Sequence, residues 1–579
     1  MGVVELTIAL HYIFDSPLDK IIFDVGHQSY VHKILTGRAA QFSTLRQYNG
    51  LSGFQKKKES IHDVWEAGHS STALSAAIGM AIARDLNHEQ GEMICVVGDA
   101  ALMSGESFEA LNYIGSVDSK VIIILNDNNM SISRNVGGLS NFFSDIRMST
   151  QYKNARNNYI SFLSKSNLGK KVYKMTKKIK DQIKNNVIND HIFGEFGLDY
   201  IGPINGHDFH DLLSALALAS EMDHSVVVHV HTVKGKGYPL AENDYYGVYH
   251  GVAPFDYREG IRSKESSMIS WSEVVARHIE KWMYEDQDIV TITPAMISGS
   301  CLRHIFDTFP DRAFDVGIAE EHAMTFAAGL SNAQKKPFIT IYSSFLQRAY
   351  DQINHDIARM QLPCLIGVDR SGLVGADGET HHGVFDMSIL SSIPNLVIMT
   401  PKDAIEMKMM INTVFRHFQH PYILRFPKGN IEDKDVSLDK EISIGSWEKI
   451  IFDSQNALTI MTYDVKVDRV AHWLMTEQLP VNLINARFIK PMDENILDEL
   501  SQTHQHILVY ETDLMIGSLG ASIAHYYSRK KMPMTIDYIG IDDHYTPQGD
   551  LDTLFKIEHI HLDDLKQKVK EILDEEGKS

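Results

Sequence analysis

Seven short apolar runs, MICVVGD, KVIIILNDN, SVVVHVHTV, PFITIYSS, PCLIGVDRS, NLVIMTP and HILVYETD, punctuate this chain, and segments of helical period lie between them. A run that stays apolar instead of alternating suits a strand buried on both faces, as in a parallel sheet covered by helices. The pattern predicts an α/β architecture of mostly parallel sheets, each flanked by helices. At 579 residues the chain exceeds one core. Two polar stretches, DYREGIRSKESSMIS at 256–270 and KGNIEDKDVSLDKEIS at 428–443, read as linkers. They divide the chain into three such domains, 1–262, 268–430 and 440–579.

Charge and cysteine usage narrow the partners. With 75 acidic against 55 basic residues, the net charge of −20 argues against general nucleic-acid or anionic-membrane binding. Residues 153–184 are the local exception, with ten Lys or Arg and Asp181 as the sole acid; a solvated helical face is expected there. Cys95, Cys301 and Cys364 are odd in number and far apart. Neither a disulfide framework nor a CxxC metal site follows, and a cytoplasmic location is expected. MGVVELTIALHYIF carries Glu5 and no basic leader, so it does not read as a signal peptide, and Leu6 breaks the myristoylation pattern. No apolar run reaches the ~20 residues of a membrane span.

Ligands of open parallel sheets gather at the carboxyl ends of the strands. CVVGDAALMSGESFEALNYIG (95–115) reads as a strand ending on Asp99, a tight turn, and a helix with Phe108, Leu111 and Ile114 on one stripe and Gly115 as its stop. The next apolar run, 121–125, ends on Asn126, Asp127 and Asn128. Asp99 and Asn128 are therefore expected on neighbouring loops at one sheet edge. A carboxylate, an amide oxygen and a carbonyl form a hard-oxygen set that suits Mg²⁺ holding a diphosphate; the plainer alternative is a pair of turn residues. Gly68-His69-Ser70-Ser71 precedes a helix whose face is Ala73, Ala76, Ala77, Met80 and Ala81. Its N-terminal amides attract anions, or it is a Ser-capped core helix. In FDVGIAEEHAMTFAAGL a strand, 313–318, delivers Glu320 to the start of an apolar helix. An acid there complements the helix dipole; in a buried crevice, desolvation would raise its proton affinity and suit it to a proton relay. His207 and His210 in NGHDFHD read as a capped helix start, not a metal pair, and Cys364 as a mid-strand core residue.

GDAALMSGESFEALN followed by NDNNMSIS is similar to the thiamine diphosphate motif of the transketolase superfamily. More narrowly, DVGHQSYVHKILTGR, GHSSTALSAAIGMA, IAEEHAMTFAAGL, YSSFLQRAYDQINHD, DRSGLVGADGETHHGVFD and ARFIKPMD resemble, in order, the 1-deoxy-D-xylulose-5-phosphate synthases. The resemblance is near collinear from residue 2 to the C-terminus and weaker in 150–195 and in the third domain. It implies a transketolase-like fold and a homodimer with thiamine diphosphate and Mg²⁺. The implied reaction condenses pyruvate with glyceraldehyde 3-phosphate, with loss of CO₂, to 1-deoxyxylulose 5-phosphate, which feeds isoprenoid precursor, thiamine and pyridoxal synthesis. The cationic ring of the cofactor accepts the electron pair that CO₂ leaves behind.

The resemblance also implies roles, position by position. Asp99, Asn128 and the carbonyl of Met130 would hold Mg²⁺. His27, Gly68, His69, Ser70 and the Ala100-Ala101 turn would line the diphosphate, and Tyr238 would contact the cofactor. Glu320 would hydrogen-bond the aminopyrimidine, with Phe345 and Arg348 beside it. Tyr342, Arg370, Asp377, His381 and Lys428 would meet the phosphorylated acceptor, and His250 would come from a stretch over the active site.

Three departures carry expectations of their own. The family pattern has a Ser-Gly-His stretch upstream of GVVELTIALHY whose histidine reaches the substrate, and the numbered chain begins at Met1-Gly2. Either the recorded start is late, or an active-site element is lost, or another histidine fills the gap. Loss would favour a cofactor-binding paralogue with little or no catalysis. Ala100 stands where the pattern has Gly. At positive φ it would be strained by roughly 1–2 kcal/mol; at negative φ it adds one methyl beside the diphosphate, and weakened rather than abolished cofactor binding is expected. Lys428 in RFPKG stands where arginine commonly holds the acceptor phosphate, keeping the charge without the fork and predicting a higher Michaelis constant for the acceptor. A transketolase-type ketol transferase is the other enzymatic alternative, and the GADGETHHG loop argues against it.

Overall fold

Burial on both faces makes the apolar runs pair side by side. The computed structural model describes residues 2–128, 137–138, 192–244, 247–252, 254–261, 268–503 and 506–576. Met130 and the basic stretch 153–184 lie outside the described residues. The chain divides into two units, Met1–Leu45 with Leu51–Ile261 and Arg46–Gly50 with Arg262–Ser579.

In the first unit β1 (Lys20–Asp24), β2 (Met93–Gly98), β3 (Ile122–Asp127), β4 (Asp199–Asn205) and β5 (Val226–His231) form an all-parallel sheet in the order β1-β2-β3-β5-β4. Successive strand residues feed opposite layers, as the pleat requires. Cys95, Val97, Ile123 and Leu125 pack with the helices Ala73–Leu86 and Gly105–Ile114. Ile94, Val96, Ile122 and Ile124 pack with Val4–Ile13 and Phe209–Glu221. Asp208 caps the last of these, accepting from His210 N (2.8 Å) and Asp211 N (3.2 Å), so NGHDFHD is a capped helix start. Gly115 follows its helix with a right-handed φ of −68°. Its glycine is required for another reason than a stop signal: a Cβ there would lie 1.5 Å from Phe196 O.

The second unit holds two larger sheets. One has the order β17-β11-β12-β10-β9-β7-β8, from β7 (Ile289–Thr293), β8 (Ala313–Asp315), β9 (Lys336–Tyr342), β10 (Cys364–Ser371), β11 (Val397–Met399), β12 (Pro421–Pro427) and β17 (Phe488–Lys490). It is parallel except for β17, which runs antiparallel to β11. The other has the order β14-β16-β15-β18-β19, from β14 (Glu448–Ile451), β15 (Leu458–Thr462), β16 (Val481–Asn485), β18 (His506–Leu514) and β19 (Thr535–Ile541), with only β14 antiparallel. The expected mostly parallel sheets flanked by helices are thus present.

Three readings need correction. The stretches taken as linkers contain strands, β6 (Met268–Ser270) and β13 (Asn430–Glu432), which pair antiparallel with each other. The strand expected over 313–318 stops at Asp315, whose Oδ1 accepts from Ala295 N (2.9 Å) and Gly317 N (3.0 Å) and turns the chain toward Glu320. Cys364 opens β10 instead of sitting mid-strand, and it is buried as expected.

Candidate active site

The carboxyl edge of the first unit's sheet is stitched together by side chains from successive loops. Gln28 Nε2 donates to Asp24 O (2.8 Å) after β1, and its Oε1 accepts from Asn126 Nδ2 (2.9 Å) in β3. Asn126 Oδ1 in turn accepts from Thr232 Oγ1 (2.6 Å) after β5. Here β2 ends at Gly98 and a single helical turn, Asp99–Leu102, begins. The Asp99 carboxylate is buried and aimed by two amides, Oδ1 accepting from Ala100 N (3.0 Å) and Oδ2 from Asn128 N (3.3 Å). Asp99 and Asn128 do meet at neighbouring loop tips. Ala100 lies within the right-handed turn, so the strained alternative for this residue does not arise.

The turn before the helix Ala73–Leu86 joins the same edge. Ser71 Oγ donates to Ala101 O (3.0 Å), which also accepts from Ser107 Oγ (2.7 Å). The Ser-capped reading of this helix is replaced by a cap from β1: Asp24 Oδ1 accepts from Ser71 N (2.9 Å) and Oδ2 from Ala73 N (3.2 Å). Ser71 holds a left-handed φ of 81° at this bend. Gly68 is buried and His69 and Ser70 are half-buried just before it. His27, in the short turn Gly26–Ser29, meets the ring of His250 edge-on at 5.3 Å. Tyr238 packs against Tyr249 (5.6 Å) and Phe255 (6.2 Å), and its hydroxyl donates to Tyr257 O (2.9 Å).

In the second unit Glu320 opens the helix Glu320–Asn332 and is 4% exposed. Burial raises its pKa, against the attraction of Arg348, whose Nη1 stands 3.8 Å from Oε2. That Oε2 accepts no hydrogen bond among the described residues. Nearby, Tyr342 and Phe345 stack at 5.6 Å, Phe345 meets His381 edge-on at 5.6 Å, and the Arg370 guanidinium lies 3.9 Å over the Tyr342 ring. Gly372 and Gly383 exchange two 2.8 Å backbone hydrogen bonds and pinch the loop that carries Asp377 and His381. Burial would raise the Asp377 carboxyl, but His381, Arg46, Lys428 and Arg370 outweigh it and hold it below the usual range. Lys428 Nζ donates to Val374 O at 3.5 Å, and burial together with Arg370 lowers its pKa. Tyr342, Phe345, Arg370, Asp377, His381 and Lys428 thus gather in one cationic, aromatic cluster.

A family model described as 1-deoxy-D-xylulose-5-phosphate synthase matches residues 1–232, and models for the transketolase pyrimidine-binding and C-terminal domains match 267–434 and 454–561. The 1-deoxy-D-xylulose-5-phosphate synthase of Listeria innocua is 46% identical over 582 residues, spanning 99% of this chain and 92% of that protein. The chain belongs to the 1-deoxy-D-xylulose-5-phosphate synthase family. Proteins of the same name from Geobacillus thermodenitrificans (47% identity, 96% of this chain, 89% of theirs) and Macrococcus caseolyticus (44%, 99% and 92%) agree. A transketolase from Leishmania mexicana aligns over 99% of this chain and 93% of its own at 16% identity and a TM-score of 0.44, too loose a likeness to add to the argument. As a member of this 1-deoxy-D-xylulose-5-phosphate synthase family, the chain is a thiamine-diphosphate-dependent, transketolase-type transferase.

The residues present fit that cofactor. Glu320 offers a desolvated carboxyl whose Oε2 accepts no hydrogen bond among the described residues, as an aminopyrimidine ring requires. Among the described residues no group of three or more His, Cys, Asp or Glu could hold a metal; the Asp99 carboxylate is an oxygen donor of the kind a hard cation takes alongside phosphate oxygens. Three residues of these sites escaped the sequence reading. Asp24 caps the helix behind His69. Burial lowers the Lys234 ammonium, which lies in the field of Asp244 and Asp99. Arg46 pairs with Asp377 across 331 residues of sequence. Nothing in TLRQYNG marks that arginine, and Lys234 lies just beyond the apolar run 225–233.

Proposed function

We propose that the chain condenses pyruvate with D-glyceraldehyde 3-phosphate, releasing CO₂, to give 1-deoxy-D-xylulose 5-phosphate, with Mg²⁺ as the companion of thiamine diphosphate. The observation that carries this reading is the buried Glu320 carboxyl, whose Oε2 accepts no hydrogen bond among the described residues. Bound thiamine diphosphate supplies the electron sink for decarboxylation. Glu320 hydrogen-bonds the aminopyrimidine and holds the proton balance of that ring, with Phe345 and Arg348 beside it. Asp99 and Asn128, with the carbonyl of Met130, hold Mg²⁺. His27, Gly68, His69, Ser70, Ala100 and Ala101 line the diphosphate, Lys234 adds positive charge, and Tyr238 contacts the cofactor. His250 joins His27 over the reacting centre. Tyr342, Arg370, Asp377, His381 and Lys428 receive the phosphorylated acceptor, a role their clustered positive charge suits. The segments 1–262, 268–430 and 440–579 are read as the diphosphate, pyrimidine and C-terminal domains.

A homodimer is part of the same reading. Val4, Ile8 and Tyr12 recur at helical spacing on Val4–Ile13 and remain 43%, 37% and 77% exposed, an apolar stripe that a second copy would cover. Among the described residues no helix is long and apolar enough to cross a membrane. The test is a single assay of the purified chain with thiamine diphosphate, Mg²⁺, pyruvate and glyceraldehyde 3-phosphate, following CO₂ and sugar phosphate. Equimolar release of both is expected; CO₂ without sugar phosphate, or neither product, would defeat the assignment.

A further inference from the structure

Residues 546–550, Thr-Pro-Gln-Gly-Asp, join β19 to the helix Leu551–Ile557 and lie outside every motif the sequence singled out. One side of this loop touches the Arg46–Gly50 segment. The Gln548 amide uses both hydrogens there, donating to Gln47 O (3.2 Å) and Gly50 O (3.0 Å), while Gly50 N closes the same turn on Gln47 O (3.0 Å). The absence of a side chain at Gly549 lets Tyr48 approach: a Cβ would lie 3.3 Å from Tyr48 Cβ. The other side touches the loop that carries Asp377 and His381. Gly549 N donates to Gly375 O (3.4 Å), and His382 Nε2 donates to Pro547 O (3.1 Å) while its Nδ1 accepts from Val374 N (3.1 Å). Gly378, at a left-handed φ of 72°, would bring a Cβ to 2.9 Å from Gln548 Cβ.

The two segments gripped by 546–550 are the ones that supply Arg46 and Asp377, which pair with each other. Arg46 has no strand or helix of its own to fix it; it follows the short turn Ala39–Thr44 at a left-handed φ of 62°. Its partner's loop is pinned at the neck by Gly372 and Gly383 and at its far end by the 546–550 contacts. We infer that Gln548 is a positioning residue for the phosphorylated acceptor: by capping the 47–50 turn it holds the Arg46 guanidinium on Asp377 and so shapes the acceptor cluster. This rests on the acceptor role proposed above for Asp377 and His381.

The test compares the unmutated chain with Gln548→Ala and with Gln548→Glu, which keeps the length and loses both donors. Both variants should raise KM for glyceraldehyde 3-phosphate about five- to tenfold, the scale of two lost hydrogen bonds, with thiamine diphosphate affinity and pyruvate KM unchanged and Tm lowered by no more than about 5 °C. In an Arg46→Ala background, Gln548→Ala should add less than about twofold, because residues acting through one contact are not additive. An unchanged acceptor KM, or a full multiplicative effect on top of Arg46→Ala, overturns the inference while leaving the function standing. An unmutated chain that makes no sugar phosphate overturns both.

Discussion

Ala100 shows how one dihedral decides between two explanations of a single substitution. A left-handed alanine would carry roughly 1–2 kcal/mol of strain that glycine would relieve. The right-handed turn Asp99–Leu102 carries none, so Ala100→Gly should leave Tm unchanged or lower it through backbone entropy. Removal of one methyl should tighten thiamine diphosphate by less than about threefold in a calorimetric titration; a rise in Tm would return strain to this position. Lys428 is a point charge with one long contact, to Val374 O at 3.5 Å. A guanidinium there would grip phosphate through two parallel donors. We expect Lys428→Arg to lower the acceptor KM about three- to tenfold with pyruvate KM unchanged in steady-state assays. Asp99 and Asn128 were legible because each ends an apolar run. Arg46 was not, since its partner is remote in sequence and its neighbours Leu45 and Gln47 form no recognisable pattern.

At the scale of elements, strands inside the apolar runs announced themselves and three short strands did not. The apolar runs became β2, β3, β5, β9, β10, β11 and β18. β6, β13 and β17 have three residues each, too few for a period to register, and lie in no apolar run; β8 is as short but was expected within 313–318, and β11 sits inside a longer apolar run. The β6–β13 ribbon forms from stretches polar enough to be read as linkers because backbone hydrogen bonds pair them whatever their side chains. Helix packing holds a further titrating group. His278 on Trp271–Glu285 donates from Nε2 to Asn412 Oδ1 (2.7 Å) on Ala404–Arg416, which also accepts from Trp282 Nε1 (2.9 Å). Burial pushes its pKa from 6.5 down to about 4; Lys408 and Lys281 push the same way, and Asn412 and Asp435 oppose. The native state therefore stays neutral where the unfolded chain binds a proton. Stability from this contact is present above pH 6.5 and is lost as pH falls toward about 4. His278→Gln should flatten the fall of Tm between those pH values relative to the unmutated chain.

At the scale of the whole molecule, the second and third sheets form a single unit, and a buried charge network lies where they join. Arg425 in β12 is 1% exposed and forks onto both oxygens of Asp386 at 2.8 Å, with a third bond of 2.8 Å to Asp513 in β18. Tyr463 donates to Asp513 Oδ2 (2.6 Å), and Glu511 accepts from Ser518 Oγ, Leu519 N and Gly520 N at the start of the helix Leu519–Lys530. Burial pushes Glu511 up to about 7 against those bonds. Removing the one guanidinium strands two buried carboxylates, so Arg425→Met should cost about 3–5 kcal/mol in denaturant unfolding, with the second and third sheets melting together.

Local pattern by itself determined the sheet class, most of the central strands and the strand-end tips that bring Asp99 and Asn128 together, because burial on both faces writes a short-range apolar signature. Only the tertiary structure decided which remote segments meet: Arg46 with Asp377, β6 with β13, β17 with β11, and Gln548 with the 47–50 turn. Those meetings rest on backbone hydrogen bonds, single ion pairs and close glycine approaches. None of these imposes a period on the residues around it.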